Sequence, residues 1–566
     1  MKNRNYINRT AAITFTVIVL LLAMRAIGQA PPTAPPKDQA PAAESTLRVT
    51  TRVVQVSVIA QDGEGHPVTG LTQDDFKISD SGVVQKIVSF AQHSDHLTAD
   101  VTPGVQPVSP NTFSNRVDEA TGVPPSVTVI LLDALNTDFH DMASARAQVV
   151  KFLRQLHPED RVALYELTTK LIVLHDFTSD TATLLRALGD APNPQSGAPD
   201  APPQITAATE AKILDSGSKG SIPAGDPGWL TAELQQENVF DQTNKAEGTT
   251  DAFTQIAQHL ARLPGRKNLV WVSGSFPFYI PLDPTRPSKI NASAQALSDA
   301  NVAIYPVDAR GLVAQTLNQP GILFSKHTAS RPAPGTLDTM QMLAQGTGGV
   351  AFYNTNDLGG AIRRAIDDSS VTYELTYYPT NEKWDGRFRE IKVEVKRSGV
   401  HLRYRKGYFA APSAAPSPES QAKLMTAAAR DSLEATELGL TVQISAVDVP
   451  GARKVKVEVR VDPDQLHFDL NAGHWTDNVE VAWVELDSSG NDLGHGSKTL
   501  NLNFPDEMHD KTLKEGLTFA NTIGLMDACV ELRLVARDGG TGALGSVNIP
   551  LTRIFTKTGT AAVPNP

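Results

Sequence analysis

The 566-residue sequence predicts an α/β fold joined to all-β segments, and three observations predict it. Between residues 125 and 370, continuous apolar runs alternate with amphipathic stretches, as in a mostly parallel sheet covered by helices on both faces. At 47–92 and 371–410, short runs alternate apolar and polar residues, as half-buried strands do. A further strand-rich stretch, 420–556, follows the Pro/Ala-rich break APSAAPSP at 411–418.

The elements follow in order. LRVTTRVVQVSVIAQ is a strand by alternation and β-branched content. DGEGHPVTGL supplies a turn, DDFKISDSG a short strand and turn, and VVQKIVSF a third strand. Residues 93–124 are polar, hold four prolines and read as a linker. SVTVILL, interrupted only by Ser126 and Thr128, has the pattern of a strand buried on both faces. DMASARAQVVKFLRQL puts Val149, Phe152, Leu153 and Leu156 on one helical face, with Asp141 as its N-cap. DRVALYEL is a strand, TKLIVL its hairpin partner, and SDTATLLRALG a helix capped by Ser179 or Asp180.

Pro and Gly interrupt residues 190–204, and helical pieces are expected around 205–215 and 229–240. EGTTDAFTQIAQHLARLPGRKNLVWVSGSFP reads as helix, turn and buried strand. Arg262, Arg266 and Lys267 then complement the helix C-terminus. NASAQALSDA with NVAIYPVDARG is another helix-then-strand pair, TLDTMQMLAQGTGGVAFYN repeats the scheme, and NDLGGAIRRAIDDSS is a last helix. Three strands follow, VTYELTYYP, FREIKVEVKR and HLRYRKGYFA, with WDGR as a hairpin turn between the first two. Their aromatics sit at strand spacing, as sheet-packing side chains do. Neither 47–92 nor 371–410 has residues enough for its own core, so the two are expected to pair, making 125–370 an insertion. A short helix at 419–433 opens a C-terminal β-sandwich, and 557–566 should fray.

Composition narrows the function. A net charge of −11 argues against nucleic acid as partner. Lys2, Arg4 and Arg9 precede the apolar run 11–24, whose length of about 14 residues falls short of the ~20 that span a bilayer. Residues 1–28 therefore read as a secretion signal, cleaved after Gly28 or Ala30, and 29–46 as a disordered Pro/Ala linker. Cleavage removes four basic residues and no acidic ones, taking the formal charge to −15 and leaving no membrane contact. Cys529, the lone cysteine, reads as a small core residue.

Several stretches together resemble the von Willebrand factor A-related family described from acidobacteria. They are PVTGLTQDDFKISDSG, VILLDALNT, PEDRVALYEL, LPGRKNLVWVSGSFP, NVAIYPVDARGL and YELTYYPTNEKWDGRFREIKVEVKRSGVHLRYRKGYFAAP, covering about residues 47–412. WTDNVEVAWVELDSSG and GSVNIPL are similar to tails in the same family. The resemblance implies a Rossmann-like von Willebrand A domain flanked by β-sandwich modules in an exported bacterial protein, and no known activity.

In that fold a divalent cation sits above the C-terminal edge of the sheet, held by a D-x-S-x-S loop, a Thr from a second loop and an Asp from a third. Mg²⁺ needs about six hard oxygens there. Asp133 takes the first position, Leu135 falls on the first Ser and Thr137 on the second. Asn136 offers an oxygen one position out of register. GTTD supplies Thr249 or Thr250, with Thr249 preferred, and Ser273 stands where the third-loop Asp belongs. One carboxylate and one hydroxyl are missing, so the metal site is degenerate, and Mg²⁺ or Mn²⁺ is what its remnant would take. The plain alternative, preferred here, is that Asp133 and Thr137 satisfy backbone N–H groups of the turn. Asn136, Asp138 and Asp308 are candidates for lining a ligand groove at the same edge. His93 and His96 read as a solvated loop.

No H-E-x-x-H, G-x-S-x-G or G-x-x-x-x-G-K-[ST] motif occurs. The sequence thus predicts an exported, non-enzymatic, cofactor-free binding protein of adhesion type that recognises a protein or surface polymer. The alternatives are an envelope hydrolase using Asp308 with Asp133, and a structural scaffold.

Overall fold

The computed structural model describes residues 53–94, 111–116, 126–191, 228–274, 289–311, 336–410, 418–449 and 451–555. The expected signal, the Pro/Ala linker, the helical piece at 205–215, His96 and the fraying tail lie outside the described residues.

In chain order, β1 (Val54–Gln61), β2 (Phe76–Asp80), β3 (Val83–Gln85), β4 (Ile87–Ser94) and β5 (Thr112–Ser114) come first. The α/β region holds β6 (Ser126–Asp133), α1 (Phe139–Leu153), β7 (Val162–Leu167), β8 (Leu171–Thr178), α2 (Thr181–Asp190), α3 (Gly228–Leu260), β9 (Arg266–Ser273), α4 (Lys289–Asp299), β10 (Val302–Asp308), α5 (Thr336–Thr347) and α6 (Leu358–Asp367). Then follow β11 (Val371–Tyr377), β12 (Phe388–Val395), β13 (His401–Arg403), β14 (Gly407–Phe409) and α7 (Pro418–Arg430). The last part comprises β15 (Leu440–Val449), β16 (Ala452–Val461), β17 (Asp469–Asn471), β18 (His474–Leu486), β19 (Asp492–Phe504), α8 (Asp506–Glu515), β20 (Leu517–Leu525), β21 (Glu531–Asp538) and β22 (Leu544–Pro550).

The central sheet runs β10-β9-β6-β7-β8, parallel except for β8. Its apolar runs are buried on both faces. On one, Val129, Leu131 and Trp271 meet Phe253, Ile256 and Leu260 of α3, with α4 and α5 beside them. On the other, Ile130, Leu132 and Val270 meet Met142, Val149 and Phe152 of α1, with α2 and α6. Helices on both faces explain why β6 is apolar without alternation. Past β10, Phe352 extends the sheet by one parallel bridge to Val307. Asp180 caps α2 by accepting from the Ala182 N–H. For α1 the N-cap position falls to Asp138, not Asp141, which lies within the first turn.

Strands on either side of this domain meet. β1 pairs β11 and β13, and β2 pairs β12, antiparallel. The sheets β13-β1-β11-β4 and β14-β12-β2-β3 share one core, in which Val56, Val58, Tyr373 and Leu375 face Phe76, Ile78, Ile391 and Val393. Several local expectations change here. VVQKIVSF is two strands in different sheets, divided at Lys86. WDGR is no hairpin turn, because β11 and β12 also lie in different sheets. HLRYRKGYFA divides likewise into β13 and β14. Period-2 alternation records which face is buried, not which sheet a strand joins. His93 is no solvated loop either: it lies on β4, with Nε2 3.2 Å from a Glu374 carboxylate oxygen.

The C-terminal body shares one core between β20-β16-β15-β5 and a sheet of β17, β18, β19, β21 and β22, and buries Cys529. β5 comes from the stretch read as linker, and Asn115 just beyond it donates to the Ala435 and Leu438 carbonyls and accepts from the Leu440 N–H. Among the described residues no helix is long and apolar enough to cross a membrane.

At the lower edge of the central sheet, Arg266 and Lys267 are 2% exposed. Arg266 donates to the Gly348 carbonyl at 2.7 Å, so its role is to tie β9 to the end of α5. Lys267 Nζ donates to the Leu263 carbonyl at 2.6 Å, and burial pushes its ammonium down to about 7. An unfolded lysine titrates near 10.4. Between those values the unfolded chain holds one more proton, so stability should rise with pH by about 1.4 kcal/mol per unit from this group. Lys267→Met is expected to remove that slope, measured by urea unfolding between about pH 7 and about pH 9.5. An unchanged slope would show that Lys267 is not its source.

Candidate functional site

Parallel register brings three strand ends into one row. Leu132 pairs with Val272, which aligns Asp133 with Ser273, and Ser273 pairs with Asp308. The chain leaves β6 through Ala134–Thr137, a turn built on the Asp133 carboxylate, whose Oδ1 accepts the Asn136 N–H at 3.1 Å. Thr137 Oγ1 accepts the Gly274 N–H at 2.8 Å, joining the turn after β6 to the turn after β9. A Cβ on Gly274 would come within 3.2 Å of the Asn136 carbonyl oxygen, so a side chain there would push the two turns apart by a few tenths of an ångström.

Asp133 is wholly buried. Its Oδ2 accepts from Ser273 Oγ at 2.8 Å and from the Trp271 indole N–H at 2.9 Å. The Asn136 carboxamide nitrogen reaches both carboxylate oxygens, at 3.0 and 2.8 Å, and also Thr249 Oγ1 at 2.8 Å. Burial pushes the Asp133 carboxyl up, and the donors from Asn136, Ser273 and Trp271 pull it back down. Thr249 is not on a loop. It lies inside α3, donates to the Lys245 carbonyl at 2.9 Å and presents its remaining lone pairs to Asn136. Gly248 beside it makes room for Leu135, since a Cβ there would meet the Leu135 methyl at 3.0 Å.

The structure thus gathers Asp133, Asn136, Thr249 and Ser273 into one hydrogen-bonded cluster, with Thr137 joining the two turns. It is not a set of ligands waiting for a cation. A dication needs lone pairs directed at a common point. Here an N–H donor stands between the Asp133 carboxylate and the Thr249 hydroxyl, so the oxygens of both groups are turned to the Asn136 amide and not to a common point. These residues do not fit Mg²⁺ or Mn²⁺. Among the described residues no group of three or more His, Cys, Asp or Glu side chains could hold a metal ion.

Asp308 is 5% exposed and clamped by its own turn. The Arg310 guanidinium gives it two bonds, at 2.8 and 2.6 Å, and the Arg310 N–H a third at 3.0 Å. Above the row, Asp138, Phe139 and His140 open α1 in exposed positions, and Phe139 is 40% exposed. Its ring meets the His140 imidazole edge-on, centroids 6.0 Å apart. Burial and the neighbouring Asp138 push Asp141 up, while Arg310 pulls it down. Sequence reasoning passed over Trp271, Arg310 and Phe139. Only Arg310, two residues from an acid at a strand end, carried a local signal of its role.

Parallel strand order, the covering helices and strand ends carrying polar side chains define a doubly wound α/β domain of the Rossmann-like class. No protein-family model and no curated protein matches the chain. Among solved structures it is similar to an aerotolerance-related membrane protein from Bacteroides fragilis, at 13% identity over 43% of this chain and 98% of that one, TM-score 0.24. It is also similar to the SpRpn10 VWA domain, at 15% identity over 32% and 74%, TM-score 0.17. A third similar structure holds three N-terminal domains of the type V pili tip protein Mfa5 from Porphyromonas gingivalis, at 8% identity over 82% and 77%, TM-score 0.22. Likenesses of this strength carry no argument, and the fold assignment rests on the strand order above.

Asn136→Ala takes away the carboxamide bonds to Asp133 and Thr249 inside a closed site. It is expected to cost about 2–3 kcal/mol in urea unfolding. Asn136→Asp places a second carboxylate against Asp133, which raises the folded pKa of the pair and should cost more at about pH 8 than at about pH 5. A loss that does not depend on pH would remove Asp133 as the cause.

Proposed function

We propose that this is an exported, non-enzymatic binding protein of adhesion type. It meets another protein or a surface polymer at the upper edge of its von Willebrand A-like sheet, without a cation. The flanking β bodies, read as β-sandwiches, carry that edge. The observation that carries the proposal is the exposed Asp138–Phe139–His140 turn standing beside a strand-end cluster whose polar groups already bond one another. An aromatic ring left in water at a rigid helix start is the kind of side chain that anchors an interface. The cluster beneath supplies stiffness, as a cation would, and needs none.

The hydrolase alternative asks Asp133 and Asp308 to share a substrate. Each is committed, one to four donor groups and the other to Arg310. They also stand two strands apart in the row, about 10 Å at strand spacing. A bare scaffold needs no exposed ring at this edge.

Titrating Mg²⁺, Mn²⁺ and Ca²⁺ into the protein in a calorimeter should give no binding heat, with wild type or with Asp133→Ala. Retention on envelope material should be equal with and without chelator. Phe139→Ala should weaken it about tenfold, the scale of a lost aromatic anchor, with an unchanged melting temperature. Retention that vanishes in chelator would overturn the cation-free reading, and retention indifferent to Phe139→Ala would overturn the placement at this edge.

A further inference from the structure

The α/β domain and the C-terminal body are joined by residues 431–438, which run between α7 and β15 and bond to both sides. Toward the α/β domain, Leu433 enters the core that holds Tyr165 and Ile256. Ser432 Oγ donates to the Leu171 carbonyl at 3.1 Å, the Thr436 N–H donates to the Gln258 carbonyl at 2.9 Å, and His259 Nδ1 lies 2.8 Å from the Glu434 carbonyl oxygen. Toward the C-terminal sheet, the Ala435 N–H donates to Ser546 Oγ at 2.8 Å, and the Leu438 N–H to the Leu544 carbonyl at 2.8 Å. The Glu434 carboxyl accepts the Asn548 N–H at 2.7 Å.

This short segment carries three acids, Asp431, Glu434 and Glu437, and acids face it from both bodies. Asp251 of α3 acts on Asp431, while Asp176 of β8 and Glu531 of β21 act on Glu434. Asp299 of α4 acts on Glu437, whose carboxyl accepts the Leu544 N–H at 3.1 Å. The cationic group acting on both central acids is Arg533 of β21, while the His259 ring of α3 lies against the Glu434 backbone carbonyl. Arg533 is drawn off: its Nε pairs with Glu531 at 3.1 Å, and its Nη1 donates to the Asp431 carbonyl oxygen, not to the Asp431 carboxylate. Two linker carboxyls are therefore held in a joint between two bodies with more acids than cations around them.

We infer that this joint is proton-gated: neutral Asp431 and Glu434 hold the α/β domain firmly against the C-terminal body, and their ionisation loosens it. The direction follows from linkage. Burial pushes both carboxyls up to about 7, with Asp251 adding to it at Asp431 and Asp176 and Glu531 at Glu434, against the pull of Arg533. In an open joint they would titrate near 3.9 and 4.3. The closed joint therefore binds more protons across that interval. Its stability is full below the open values and falls as pH rises to about 7.

The test is hydrogen exchange on the full chain at about pH 5.5 and about pH 8.5, corrected for the intrinsic pH dependence of exchange. The Ala435, Thr436 and Leu438 amides, which cross the joint, are expected to lose protection about tenfold or more, one pK unit of mismatch being tenfold. Amides of β6 and β9 should not change. In Asp431→Asn/Glu434→Gln, whose side chains stay neutral, protection should be the same at both pH values. Asp251→Asn, which leaves the linker intact and relieves the repulsion at Asp431, should move the midpoint of the loss below that of wild type. Equal protection at both pH values in wild type, the same loss in the double variant, or parallel loss in β6 and β9 would each overturn the inference.

Discussion

Asp133 ends the central strand with no contact with solvent, and a carboxylate so placed must find donors or give up its charge. Four donor groups meet it, two from its own turn and two from the neighbouring strand. The turn bends back to bring its own Asn136 amide. The parallel partner β9 brings Trp271 and Ser273. The long helix α3 brings Thr249 to the far side of the same carboxamide. The edge of the sheet is stiff because these bonds connect β6, β9 and α3, which come from separate stretches of the chain. Trp271 adds to this from below, where its ring meets Phe253 of α3 edge-on with centroids 5.1 Å apart.

The polar residues along this edge are arranged in two tiers. Asp133 and Asp308 lie at the level of the strand ends, both buried, one held by uncharged donors and the other by Arg310. Asp138 and His140 lie one turn higher, in water, on a helix start fixed by the turn beneath. Burial separates what is structural from what is available to a partner. The chemistry of the residue types alone does not, since an aspartate stands in both tiers.

Much of the α/β region was legible because its signals are local. β6, β9 and β10 coincide with apolar runs, and the face of α1 follows from the spacing of Val149, Phe152 and Leu153. The β bodies were less legible. Alternation in FREIKVEVKR tells which side chains are inside, yet nothing local says that β12 leaves the sheet of β11 to join β2. β5 was hidden because three residues carry no period, and its partner β15 is more than three hundred residues away. At the site, position alone pointed to Asp133, Thr249 and Ser273. That a carboxamide would stand among them depends on the turn bending Asn136 back, which is a property of conformation and not of spacing.

The pairing of β1 with β11 also has a mechanical consequence. The strands that flank the α/β domain and β5 in sequence close one β body, with Val54 opposite Tyr377 and Val58 opposite Tyr373. Tension applied along the chain from outside that body would reach this antiparallel ladder before it reached the central sheet. Because Val54 and Tyr377 lie at the same end of the ladder, it would open pair by pair from that end, and the strand-end cluster around Asp133 would feel the load only afterwards.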